Sequence, residues 1–395
     1  MKTSNENSNI RRIVTEPPER QKIRRKNRKA MMALFVALIV AATIFAVMLN
    51  RDNPTFRAFF SGVDFEVETT ENGMLELNST DRYFFGSNKD GVIVAQSNQV
   101  TALSPKLEPL WQVDVAGVGP VVKTRGAYTL VYYTESAEAA VIHKKKSMPV
   151  AADGVVLLGE INQDGYFLLV TREKGFKAQI TVYSPEAEVL YRWHSADTYV
   201  VDADISFDNR SIAVATTDFS KGTVSGGLML FNFTQEKPYA GLVLEGNMVL
   251  DVCFTGRDEL LLVGDTACAE FNLQGEKKWE YSYEGKGLTT FDVEQDNIVL
   301  ALHEGDAARA DHVIQIVTNG KRKGEYTCSG NVKVTDAVNG DILLVQDRKL
   351  ILISERGNEI HSVNLNRDIK NAVLFADRKH AFVVSGTAAE VVELK

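Results

Sequence analysis

The sequence predicts an all-β fold, a β-propeller of four-stranded blades, carried behind one N-terminal transmembrane helix. Three observations point there. Twenty uncharged residues, Ala30 to Leu49, follow directly on a cluster of arginines and lysines. From Val63 onward, short apolar and β-branched segments alternate with Gly, Asp, Asn, Ser and Pro turns, the period of strands rather than helices. A strand–turn–strand unit then recurs about every 35 to 47 residues, close to the length of a propeller blade.

The tail, residues 1–29, is rich in Asn, Ser, Glu, Pro, Lys and Arg and is expected to be disordered. Residues 30–50 form the expected span. At about 1.5 Å per residue, a helix of this length crosses the roughly 30 Å hydrocarbon core of a bilayer. Nine Lys or Arg and two Glu lie between Arg11 and Lys29, whereas only Arg51, followed by Asp52, flanks the far end. That asymmetry places the N-terminus in the cytoplasm and the rest of the chain outside, so a single-pass cell-membrane protein with an extracellular C-terminal domain is expected. A cleaved signal peptide is the alternative. The apolar stretch is too long for it, and Ala41-Ala42 lead into Thr43, Ile44 and Phe45 instead of a polar cleavage site. Residues 51–62 read as a linker in which Phe56, Phe59 and Phe60 rest at the lipid interface or on the base of the domain.

Residues 63–395 carry the propeller. The first 52 residues hold a charge of +7 and the remaining 343 hold −15. An acidic domain of this kind repels nucleic acid, which excludes DNA- and RNA-binding functions. Cys253, Cys268 and Cys328 lack metal-site spacing and read as small buried hydrophobes, with a Cys253–Cys268 bridge between neighbouring strands as the alternative. Blade boundaries fall near 81–115, 118–151, 153–196, 199–246, 248–285, 288–328, 331–366 and 369–395. The last segment has room for three strands. Its fourth is expected from Val63 to Val67 or from Met74 to Leu77, closing the ring and leaving no open sheet edge there. Eight blades are favoured. Seven is the runner-up, because Gly119 to Ala151 fits the unit least well, and a pair of β-sandwiches is the rival architecture.

The repeat resembles blades of the pyrroloquinoline-quinone and WD40 types, a group that includes the outer-membrane assembly lipoprotein of Gram-negative bacteria. Phe271 to Trp279 (FNLQGEKKW) matches the strand, Leu-Asp/Asn-x-x-Gly turn and outer Trp of the first type, and Leu103 to Trp111 matches in part. Ile205 to Val214 (ISFDNRSIAV) is similar to the TolB-like and WD40-like Ser-Pro-Asp-Gly strand pair. No Gly-His to Trp-Asp pairing recurs. The layout of basic tail, single span and external propeller also resembles an uncharacterised family of clostridial-type membrane proteins.

No catalytic, cofactor-binding or metal-ligating residue is predicted. His303, Glu304, Asp306, Asp311 and His312 form the densest polar group, and a solvated loop between two blade strands is preferred over a metal or acid–base site. Asp202 and Asp204 bracket Ala203 on an expected inner strand, so alternation sends both carboxylates to one side. There they line the channel and bind a cation, or else accept backbone N–H groups. Gly226-Gly227 reads as a flexible hairpin loop with no following helix, hence not a phosphate cradle. These features suggest a membrane-anchored extracytoplasmic binding or scaffold module that recognises a protein or cell-envelope component. The alternative is a propeller enzyme acting on glycans or a quinone-dependent substrate.

Overall fold

The computed structural model describes residues 74–77, 84–88, 91–96 and 99–395, apart from 116, 118, 144, 220, 221 and 223. Among them are 32 strands and no helix, arranged as eight antiparallel four-stranded sheets. Blades 1 to 7 span 84–114, 120–151, 156–195, 199–245, 249–282, 287–328 and 334–364. Blade 8 spans 371–393 and takes its fourth strand, Leu75–Glu76, from the other end of the domain. Leu75 pairs with Ala389, Glu76 with Ala388, and the Leu77 N–H donates to the Thr387 carbonyl at 2.8 Å. The closing strand therefore lies within Met74 to Leu77. Val63 to Val67, the tail 1–29, the span 30–50 and the linker 51–62 lie outside the described residues. No helix among the described residues is long and apolar enough to cross a membrane. The count is eight rather than seven. Gly119 to Ala151, the poorest sequence match, supplies a complete blade in which Pro120–Arg125, Tyr128–Tyr133, Glu138–His143 and Lys146–Ala151 pair in order.

Packing explains the strand sequences. Each blade lies face to face with two others, so its second and third strands are covered on both sides and read as continuous apolar runs. Phe167–Thr171, Ala178–Tyr183 and Asp341–Val345 are buried at every position. Outermost strands alternate instead, as in Ala240–Glu245. Eight apolar clusters fill the eight seams between blades. The seam between blades 8 and 1 contains Leu75, Leu77, Val92, Val94 and Phe382, so the ring closes by packing as well as by strand pairing.

The third and fourth strands of several blades meet in one recurring turn, and this is the physical content of the Leu-Asp/Asn-x-x-Gly pattern. The side chain of Asn272 accepts the N–H groups of Gln274 and Glu276 at 3.0 and 2.8 Å, and Gly275 takes φ +80°. Ser104 and Ser184 do the same and Ser354 accepts the Asn358 N–H, with Leu107, Ala187 and Gly357 in the left-handed position. A short polar side chain that mimics a backbone acceptor sets such a turn, so Ser serves as well as Asn. The Gly226-Gly227 pair is not a loop. It lies inside the third strand of blade 4, Ser225–Asn232, where a Cβ on Gly226 would come within 2.6 Å of the Asn247 carbonyl oxygen. Close backbone approach, not flexibility, requires glycine there.

Candidate functional site: the channel and the blade 3–4 loops

Innermost strands touch their neighbours around the ring, and their side chains line a central channel. Between blades 2 and 6 the channel widens into a cavity of about 720 Å³, lined by Lys123, Arg125, Glu160, Asp202, Asp204, Asp251 and Asp292 among others. Asn162, Phe207, Thr255 and Asp296, from turns between first and second strands, surround its mouth. Five carboxylates thus share the deeper part with one lysine and one arginine.

Most of those carboxylates are engaged by backbone. Asp202 accepts the Val252 N–H at 2.9 Å, and Asp204 accepts the N–H groups of Phe254 and of its own neighbour Ile205, each at 2.8 Å. Val252 and Phe254 belong to the innermost strand of blade 5. The same staple recurs where Asp292 of blade 6 accepts the Ala337 N–H of blade 7 at 2.6 Å, and where Asp336 of blade 7 accepts the Leu374 N–H of blade 8. Glu294 receives the N–H groups of Asn339 and Gly340. An innermost strand has no partner on its channel side, so its free N–H groups need acceptors. An Asp on the preceding blade provides one.

Burial governs the protonation of this set. It raises Asp204 to about 7 against the pull of the Phe254 N–H, and raises Asp336 to about 7 with help from Asp292. Asp292 is shifted upward for the same reason. Asp202 stands well above the ordinary carboxylate range, through burial first and then through Asp251 and Glu160. Asp251 is raised by burial and by Glu160, and hydrogen-bonds the Asp202 carboxyl. Ionising one of these two carboxyls therefore makes ionising the other harder. Lys123 pairs with Glu160 across the seam of blades 2 and 3. Burial opposes its charge, but Glu160 outweighs burial and lifts the ammonium above its ordinary value.

The other predicted cluster does not converge. His303 and His312 end the facing second and third strands of blade 6, where they pair in register with ring centroids 5.5 Å apart. Only Glu304, Asp306 and Asp311 are in the loop. His312 is fully buried, its Nε2 lies 2.7 Å from the Thr289 hydroxyl, and burial lowers its pKa. Asp311 accepts the Ser329 hydroxyl at 3.2 Å and the Gly330 N–H at 3.1 Å. Glu304 is exposed and lies 3.8 Å from Lys286. Among the described residues no three His, Cys, Asp or Glu side chains come together as a metal site. Cys253, Cys268 and Cys328 are free thiols, so the Cys253–Cys268 bridge does not form. Burial raises all three, Cys268 to about 12 and Cys328 to about 11.

At the opposite end of the ring, loops of blades 3 and 4 present an aromatic and basic cluster that sequence reading missed. Phe219 is 54% exposed and Tyr199 48%, with their rings 6.4 Å apart. The Lys177 ammonium lies 4.6 Å from the centre of the Tyr199 ring and donates to its hydroxyl at 3.1 Å. Phe176 leans on His194 at 4.8 Å. Nothing in the linear pattern marks these residues, because they come from two separate loops and the first residue of a strand. The channel residues did carry a signal. Glu160, Asp204, Asp251, Asp292 and Asp336 recur at intervals near one blade length, each on an innermost strand.

A family model described as a family of unknown function (DUF5711) matches residues 66–394. The chain belongs to that family. A search of curated proteins finds no match. Among solved structures, BamB from Moraxella catarrhalis is similar with a TM-score of 0.52 at 12% identity, over 83% of this chain and 100% of that one. The C-terminal WD40 domain of Sif2 is similar with a TM-score of 0.61 at 9% identity, over 84% of this chain and 100% of that one. At such identities the likeness is one of fold. The sequence resemblance to quinoprotein and WD40 blades holds at that level.

Proposed function

We propose that this member of the family is a membrane-anchored extracytoplasmic binding or scaffold module that recognises a protein or cell-envelope component on one face of its ring. The observation that carries the reading is the exposed cluster of Phe176, Lys177, Tyr199 and Phe219 on the loops of blades 3 and 4. Exposed aromatics beside a cation, on an otherwise acidic domain, have the composition of a recognition surface. The staples support the same reading, since they turn most channel carboxylates to holding blades together. The uncharged run Ala30 to Leu49 and its basic flank supply the anchoring part.

The test is site-specific photocrosslinking of the full chain on intact cells. A photoreactive residue at Phe219 or Phe176 is expected to capture one shared neighbour, lost on Tyr199→Ala. The same residue at Glu304, on the blade 6 loop, is expected not to capture it. Identical neighbours from all three positions, or none from Phe219 and Phe176, would remove the reading. Protease added to the same cells is expected to cut the propeller while sparing the arginine-rich tail.

A second reading, an enzyme acting on glycans, is favoured by one observation: the Asp202–Asp251 pair shares the channel cavity with Lys123 and Arg125. Paired carboxyls of this kind can divide acid and base roles. It requires the purified chain to release reducing ends from cell-wall glycan and Asp251→Asn to stop that release without unfolding the ring. No release by the unaltered chain ends it.

A further inference from the structure

The outer rim of blade 4 is among the least guarded of the ring. Outermost strands have an unpaired edge, and proteins guard such edges with charge, proline or a covering segment. Blade 1 has Pro109 and Asp114, blade 2 has Lys146 and Pro149, and blade 3 has Arg192. Blade 5 has Lys277, Lys278 and Glu280, and blade 6 begins Lys321-Arg322-Lys323. Blade 7 is polar, Glu359–Asn364. In blade 4 the outermost strand reads Ala240-Gly-Leu-Val-Leu244 before a terminal Glu245, with neither charge nor proline inside it. Val243, at 68%, is the most exposed large hydrophobic among the described residues.

A groove of about 310 Å³ runs beside this strand toward blade 5. Val243, Leu244, Leu262, Ala269 and Phe271 line it together with Gly246, Asn247, Gly264 and Thr266. Glu245 and Glu280 are its only charged lining residues. The register of the edge is firm: Leu242 and Leu244 pack inward on the blade 4–5 core while Gly241, Val243 and Glu245 alternate outward. A firm, uncharged edge offers its alternate backbone N–H and C=O groups to a strand laid alongside.

We propose that the blade 4 edge, Ala240–Leu244, takes an extended strand from a partner protein, with aliphatic side chains against Val243 and the groove and a lysine or arginine facing Glu245 and Glu280. Backbone pairing supplies the affinity and the two carboxylates set the charge of the partner's end. Blade 8 shows that a separate segment can complete a blade by strand pairing, since Leu75–Glu76 docks as its fourth strand on Ala388–Ala389 and buries Leu75 and Leu77; on blade 4 the partner strand would be a fifth. The Glu245 end of this edge pairs with Ser225, beside the loop that carries Phe219, but the proposal uses no residue of the Phe219 cluster.

The test uses the full chain in detergent micelles and two fluorescent peptides of alternating valine and threonine, one ending in two lysines and one in two glutamates. The lysine peptide is expected to bind saturably, and about tenfold more tightly than the glutamate peptide. Val243→Lys, at an exposed position that leaves the core untouched, is expected to weaken it by at least about tenfold. Glu245→Gln with Glu280→Gln is expected to erase the preference between the two peptides. Absence of saturable binding to the unaltered chain, or binding indifferent to Val243→Lys, would overturn the proposal. So would light scattering that finds a dimer converted to a monomer by Val243→Lys, since the edge would then belong to a second copy. Retained crosslinking at Phe219 in Val243→Lys separates a failure here from a failure of the loop-face reading.

Discussion

Asp202 and Asp204 on blade 4, and the His303 to His312 stretch of blade 6, are the two polar groups that stand out along the sequence, and the ring uses them in opposite ways. The first pair sits on an innermost strand, so the ring carries it toward its counterparts from other blades. Asp251 and Glu160 become neighbours of Asp202, and the blade 5 backbone becomes its partner. The second group is denser in sequence but spans the end of a hairpin. Its two histidines pair across the strands, one fully buried, while Glu304 points to solvent. Polar density along a chain is thus a poor guide in a repeat fold. What matters is which strand of the repeat a residue occupies, because one position recurring from blade to blade is gathered at the axis.

The comparison can be broken most sharply by pH. Asp204 and Asp336 are held near 7 in the folded ring against an ordinary 3.8. A carboxyl raised on folding favours the proton-bound native state, so its contribution is complete below about pH 4, is lost as pH rises toward 7, and changes no further above that. Each shift corresponds to at most about 4 kcal/mol. Urea unfolding of the unaltered chain is expected to give midpoints that fall between pH 5 and 7 relative to an Asp204→Asn, Asp336→Asn double variant. Parallel profiles for the two chains would mean that these carboxyls titrate normally.

A smaller effect separates the staple from its charge. Asp204→Ala leaves the Phe254 and Ile205 N–H groups without their acceptor and is expected to cost about 1–3 kcal/mol at pH 8, where the carboxyl is charged. Asp204→Asn keeps an acceptor oxygen and is expected to cost less than half as much. Equal losses in thermal melts would show that charge, not hydrogen bonding, holds blades 4 and 5 together at this point.

The blade 6 group is expected to respond least. Glu304→Ala should change stability by no more than about 0.5 kcal/mol, the scale of an exposed substitution. Zinc at a moderate excess should leave the melting temperature unchanged. A zinc-dependent rise abolished by His303→Ala would reveal a ligand set that the strand pairing of His303 with His312 does not provide.

Much of the fold was legible because strand burial imprints itself on sequence. Tyr199 to Glu245 and Val249 to Ser282 fall inside the segments expected at 199–246 and 248–285. The turn after Phe271 was readable because Asn272 and Gly275 each have a stereochemical reason to be there. Blade 2 was harder, since Pro149 sits in its outermost strand and its Lys146–Ala151 edge lacks the Trp that blades 1, 3 and 5 carry there. The site was half legible. The orientation of Asp202 and Asp204 follows from two-residue alternation, but their acceptor role depends on backbone some fifty residues away. The Phe176, Tyr199 and Phe219 cluster was invisible, because exposed aromatics in loops and at a strand's first residue leave no periodic trace.

By itself the sequence determined the local grammar: where strands start and stop, which of them are covered on both faces, and which side chains can replace a backbone acceptor in a turn. Those properties depend on neighbours a few residues apart and on whether a surface meets water. The tertiary structure alone decided which carboxylates crowd together in the channel, which thiols stay apart and which rim carries least charge. Each of those depends on the electrostatics and spacing of groups that meet only when strands pair into blades and blades pack around one axis.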